Sequence, residues 1–213
     1  MRTSPPTRAL TFPTVPTPSP RSGSSRATRR IDASILRVAR ELPERGLGVG
    51  TVGNVSARVG GLVRITPTRT PYARLRPRHL VTVDAATGLV RGGHPSRELP
   101  MHLAIYRRRP DAGAVVHTHS PYAAAWSCLG EPLAPQLEET EYYGIGPVGT
   151  AAHAAAGSAG LAAAAAEALG ASKAALLRRH GVVAIGDSPQ AALDVALAVE
   201  HIARVALLVR CGR

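Results

Sequence analysis

Aromatic side chains are scarce in this chain of 213 residues: one Trp, one Phe and five Tyr, 3% in all. A core without large rings has to be assembled from Ala, Val and Leu at close packing. With 45% hydrophobic residues, the chain can supply one globular domain of α/β type and has little left for a second core. Cysteine is nearly absent as well. Cys128 and Cys211 are too few and too far apart for a disulfide framework or a thiolate metal site, and read as ordinary reduced thiols. No apolar run has the length of a membrane span or a signal peptide, so a cytoplasmic location and no membrane partner are expected.

Acidic residues are missing from the first thirty positions, which hold six arginines and six prolines among many Ser and Thr. Half of the net charge of +12 therefore sits in this segment. Its composition buries too little apolar surface to offset the entropy of ordering, so residues 1–30 read as a disordered basic tail and 31–213 as the domain. Arg and Ser without acid also suit a transit peptide, but the prolines oppose the amphipathic helix such peptides need. The basic tail has no interleaved aromatics, which argues against a specific nucleic-acid surface.

Asp32 is a fitting N-cap for a helix in which Ile35, Leu36, Val38, Ala39 and Leu42 form one stripe, ended at Gly46. Two pairs of short strands follow, turning at Gly60 and Gly61 and near Ala86 to Gly88. Ser96 can cap a helix "RELPMHLAIYRRR", which places Glu98 at its start. "GAVVHTH" reads as a strand, "SPYAAAWSCLG" and residues 158–170 as helices, and "AALLRRHGVVAIG" as a strand with His180 inside it. Ser188 and Pro189 open a last helix whose Leu193, Ala196, Leu197, Ile202, Val205 and Leu208 need burial.

His117 and His119 stand two apart at the end of the strand "GAVVHTH", so both imidazoles point to one face. With His180 as a third nitrogen donor the set suits a catalytic zinc site with one exchangeable position, although ligand type alone also admits iron, cobalt and manganese. H-x-H by itself fits two ordinary polar side chains equally well. A cupin site would need a Glu soon after the pair and an all-β barrel, whereas here the following residues are helical and the nearest acid, Glu98, comes before the pair.

Four stretches taken together resemble the class II aldolase and adducin head-domain family, typified by fuculose phosphate aldolase: "GTVGNVSAR" (50–58), "ITPTRTPY" (65–72), "PSRELPMHLAIYRRRPDAGAVVHTHSPYA" (95–123) and "RRHGVVAIG" (178–186). The resemblance runs from about residue 32 to the C-terminus. It implies a three-layer α/β sandwich, with a central, mainly antiparallel sheet covered by helices on both faces. It also implies zinc held by His117, His119 and His180, with Glu98 as acid/base and resting ligand. An anionic, phosphorylated sugar would be held by Thr51, Gly53, Asn54, Thr68 and Ser96, in a homotetramer. Two positions depart from the family pattern. Arg69 replaces a turn Gly and Arg97 a small hydroxyl residue, and either guanidinium could clamp an anion or fill the pocket.

The family's tyrosine contacts have no assigned counterpart in Tyr142 or Tyr143. His102, one turn after Glu98, is placed to hydrogen-bond it, while His79, His94, His153 and His201 read as surface or packing groups. The expected activity is a metal-dependent aldolase acting on a small sugar phosphate. Methylthioribulose phosphate dehydratase, a decarboxylase or an epimerase on the same fold is the alternative, and a non-catalytic adducin-like module a more distant one.

Overall fold

The computed structural model describes residues 14–15, 26–134 and 137–212. One sheet organises them. Its strands are β1 (Thr14–Val15), β2 (Asn54–Val59), β3 (Leu62–Ile65), β4 (Val81–Asp84), β5 (Val90–Arg91), β6 (Ala114–Thr118), β7 (Thr150–Ala151), β8 (Ala174–Leu177) and β9 (Gly181–Gly186). They lie in the order β1-β5-β4-β3-β2-β6-β9-β8-β7, and every neighbouring pair is antiparallel except the two outermost, β1 with β5 and β7 with β8. Of the central strands, β8 and β9 are built almost wholly of Ala, Val, Leu and Ile buried on both sides, while β2 and β6 carry Asn54, Ser56 and His117, also buried, among their apolar residues, as a sheet covered on both faces requires.

Alternation along those strands divides the core in two. Val55, Ala57, Val116, Val182 and Ala184 pack with α1 (Arg26–Glu44), α3 (Pro121–Leu129) and α6 (Pro189–Cys211). Ile65, Val83, Val115, Val183 and Ile185 pack with α2 (Leu99–Arg108) and α5 (Ala159–Leu169) on the other face. A short helix, α4 (Glu138–Tyr142), and two 3-10 turns at Tyr72–Arg74 and Pro77–His79 were not foreseen. The three-layer arrangement matches the expectation. No helix among the described residues is long and apolar enough to cross a membrane.

Several boundaries differ from expectation. The first helix starts at Arg26, so Asp32 is not its cap: it is buried within the helix and its carboxylate takes a two-pronged bond from Arg64, at 2.8 and 2.9 Å. A pairing 32 residues away in sequence leaves no local signal. Of the segment read as a disordered tail, β1 and residues 26–30 of α1 are ordered elements, and the remainder lies outside the described residues. "AALLRRHGVVAIG" is a hairpin of β8 and β9 with His180 in the turn, not one strand. Leu193, Ala196 and Ile202 of α6 are buried as expected, while Leu208 is 62% exposed.

Candidate metal centre

His117 sits near the end of β6, between β2 and β9, opposite Asn54 on one side and Val183 on the other. Its Nδ1–H donates to the carbonyl of Val182 at 2.9 Å, which leaves the Nε2 lone pair for a ligand. His119 lies just past the strand, its backbone N–H tied to the Leu47 carbonyl at 3.0 Å. His180 arrives from the β8–β9 hairpin turn, where Arg179 adopts φ 59° and Gly181 passes close beneath the pair. A Cβ on Gly181 would stand 2.1 Å from the Thr118 carbonyl oxygen, so only glycine lets the hairpin approach. The three ring centroids are 4.6 to 4.9 Å apart, and one nitrogen from each ring falls within 4.8 Å of the others.

Glu98 occupies the N-cap position of α2 and reaches the same point, with Oε2 2.9 Å from His117 Nε2 and Oε1 3.3 Å from His180 Nε2. Despite these distances, Glu98 Oε1 and His117 Nε2 are both buried without a hydrogen bond. They face a shared space instead of each other. Burial alone would push the Glu98 carboxyl up, but the adjacent His117 holds it well below the usual carboxylate range. Burial likewise works against charge on His117, and Glu98 overcomes it, raising that imidazole. His119 is lowered to about 3 and His180 to about 4, by burial and then by the charge on His117. His119 and His180 are thereby held neutral, each with a ring lone pair to offer, as a divalent cation requires of imidazole ligands.

In front of the histidines opens a cleft of about 750 Å³. Every substrate residue expected from the sequence lines it: Thr51, Gly53, Asn54, Thr68, Arg69, Ser96 and Arg97, with Glu98, His119 and His180 at its floor. His117, fully buried, lies behind them. The Gly53–Asn54 loop is pressed against the metal strand. Gly53 has φ +81°, and a Cβ there would come within 2.8 Å of the His117 carbonyl. Tyr72 donates to the Gly53 carbonyl and so pins the loop from behind. Arg69 has φ 53°, unusual for a residue with a side chain, and stands exposed on the rim with Arg97.

Some expected roles change. Ser96 does not cap α2; its Oγ accepts from the Glu98 N–H at 3.3 Å and heads the turn before the helix. His102 does not bond Glu98 but bonds Asn54 and Ser56 across the interface. His94, read as a surface or packing group, lines the cleft, as do Pro67, Val90, Gly93, Pro95 and Gly157. The Pro67–Pro95 bridge and the bonds from Thr68 N–H to the His94 carbonyl and from Ser96 N–H to the Thr66 carbonyl draw these loops together. Such pairing carries no composition signal. Tyr142 is 83% exposed, and neither it nor Tyr143 lines the cleft.

Known proteins are similar to this chain in sequence and in fold. A 5-methylthioribulose-1-phosphate/5-deoxyribulose-1-phosphate aldolase of Rhodospirillum rubrum is 38% identical over 170 residues, covering 79% of this chain and 76% of the relative. A 3-oxo-tetronate 4-phosphate decarboxylase of Haemophilus influenzae is 34% identical over 187 residues, covering 80% and 84%. A solved L-fuculose 1-phosphate aldolase superimposes with a TM-score of 0.81 at 31% identity, over 85% of this chain and 86% of that one. Residues 33–207, which hold every part of the cleft, match the family described as Class II Aldolase and Adducin N-terminal domain, and the chain belongs to it.

Proposed function

We propose that the protein is a zinc-dependent aldolase that cleaves or forms a C–C bond in a ketose 1-phosphate. The observation that carries this reading is the convergence of His117, His119, His180 and Glu98 on one space, with two buried polar atoms there left unpartnered, at the floor of a cleft rimmed by arginines. His117, His119 and His180 hold the ion, with Glu98 as a further ligand at rest. When bound, the ion supplies Lewis acidity at the substrate carbonyl oxygen. Thr51, Gly53, Asn54, Thr68 and Ser96 bind the phosphate through hydroxyl and amide groups, and Arg69 and Arg97 add charge on the rim. Glu98 Oε1 takes the proton of the C4 hydroxyl as the C3–C4 bond breaks, the bonding pair passes to C3 and the neighbouring carbonyl, and the same proton is returned to C3, giving dihydroxyacetone phosphate and an aldehyde. The working form is proposed as a cytoplasmic homotetramer, whose mass light scattering would report.

The test offers the zinc-loaded protein ketose 1-phosphates, among them fuculose, 5-deoxyribulose and 5-methylthioribulose 1-phosphate, together with the keto acid 3-oxo-tetronate 4-phosphate, and scores dihydroxyacetone phosphate, loss of water and loss of carbon dioxide separately. Cleavage is expected. Glu98→Gln should lower it by about 10²- to 10⁴-fold while metal content is retained. Dehydration without cleavage would move the assignment to a dehydratase, and no conversion of any panel member by a zinc-loaded protein would contradict the enzyme reading.

A further inference from the structure

Glu98, His102 and Tyr106 follow one another at four-residue intervals and so share a face of α2. Asn54, Ser56 and Arg58 share a face of β2, about 6.6 Å between successive members. The two rows meet in the core and interlock. Asn54 Nδ2 donates to Glu98 Oε2 at 3.3 Å, and Asn54 Oδ1 lies 2.5 Å from His102 Nε2. His102 Nδ1 is 2.7 Å from Ser56 Oγ, which is 2.9 Å from the Tyr106 hydroxyl. Arg58 closes the row, its guanidinium 4.6 Å from the centre of the Tyr106 ring and bonded to the Tyr106, Arg109 and Ala112 carbonyls.

The polarity of this seam follows from a single constraint. A carboxylate oxygen accepts only, so Asn54 must turn its NH₂ toward Glu98 and its carbonyl toward His102. His102 then has to donate from Nε2. His102 is fully buried and neither ring nitrogen meets a carboxylate, so a second proton would be an unpaired buried charge; Nδ1 is therefore an acceptor, the Ser56 hydroxyl donates to it, and the Tyr106 hydroxyl donates to Ser56. Every bond in the chain points toward Glu98, an arrangement in which each polarises the next. One Glu98 oxygen is held by this chain, while the other, Oε1, has no hydrogen bond.

We propose that His102 is a positioning residue: with its proton on Nε2, it sets the direction of a hydrogen-bond chain from Tyr106 to Glu98 that tethers Oε2 and leaves Oε1 to handle the substrate proton. The role of Oε1 rests on the aldolase reading; the direction of the chain does not. Long-range ¹H–¹⁵N spectra of the ¹⁵N-labelled, zinc-loaded protein, with the His102 signals identified by their absence in His102→Gln, report the tautomer without substrate. A neutral Nε2–H pattern unchanged between about pH 5 and pH 8 is expected. An Nδ1–H pattern or a doubly protonated ring in that range would overturn the proposal.

On a ketose phosphate that wild type cleaves, His102→Leu should lower kcat about 10- to 100-fold with KM little changed. His102→Gln, whose amide still has a donor for Asn54 Oδ1, should recover most of the loss. Wild-type kcat in His102→Leu, or equal losses in the two variants, would also overturn it. If the leucine variant does not fold, the wild-type spectrum decides alone. A zinc-loaded wild type that turns over no ketose phosphate would sink the aldolase reading, and the tautomer would still decide the direction of the chain.

Discussion

The two faces of the sheet are built from the same strands and both are covered by helices, yet only one of them carries the site. Toward α1, α3 and α6, β2 and β6 present Val55, Ala57, Ala114 and Val116, all apolar. One residue out of phase, the same strands turn Asn54, Ser56 and His117 toward α2, which answers with Glu98, His102 and Tyr106. The apolar face gains from burial alone. The other face has traded part of that gain for polar groups that stay in place only while each finds its partner. Stability and chemistry are thereby separated by a single step along a strand.

That separation can be tested from each side. Ile202, buried on α6 against the apolar face, should cost about 2 to 5 kcal/mol when cut to Ala, read by denaturant unfolding, with metal content unchanged. A variant that loses metal along with stability would show that the two faces are coupled. Gly181→Ala acts where the hairpin meets the histidine strand. Its Cβ would meet the Thr118 carbonyl, so a loss of about 1 to 3 kcal/mol should come with a fall in bound metal as His180 is displaced. Retention of full metal would mean that the hairpin has more freedom than its packing indicates.

A third prediction concerns pH. Burial lowers His102 from its ordinary 6.5 to about 3, so below about pH 6.5 the unfolded chain takes up a proton that the folded chain refuses. Stability from this group is complete above that pH and declines toward pH 3. The melting temperature should therefore drop less steeply with falling pH in His102→Gln than in wild type. Parallel curves would show that His102 is not the neutral, enclosed group described above.

Much of this was legible in the sequence because it is local. The spacing of His117 and His119 on a strand, the glycines of the 50–54 loop and the apolar stripes of α1 and α6 are written within a few residues of each other. The parts that were not legible depend on partners far along the chain. Asp32 looks like a helix cap until Arg64 reaches it, and His102 looks like a neighbour of Glu98 until Asn54 and Ser56 engage both its nitrogens. His94 enters the cleft only because the Pro67 and Pro95 loops pair. The four-residue spacing of Glu98, His102 and Tyr106 against the two-residue spacing of Asn54, Ser56 and Arg58 was a signal in plain view, which the helix read by itself did not disclose.

The central claim is that three histidines at the floor of the cleft hold a divalent ion. Metal content by mass spectrometry on purified wild type and on folded His117→Ala tests it most directly. About one zinc per chain in wild type, lost in the variant, is the predicted result. A folded wild type that takes up no divalent metal even when zinc is supplied would contradict it.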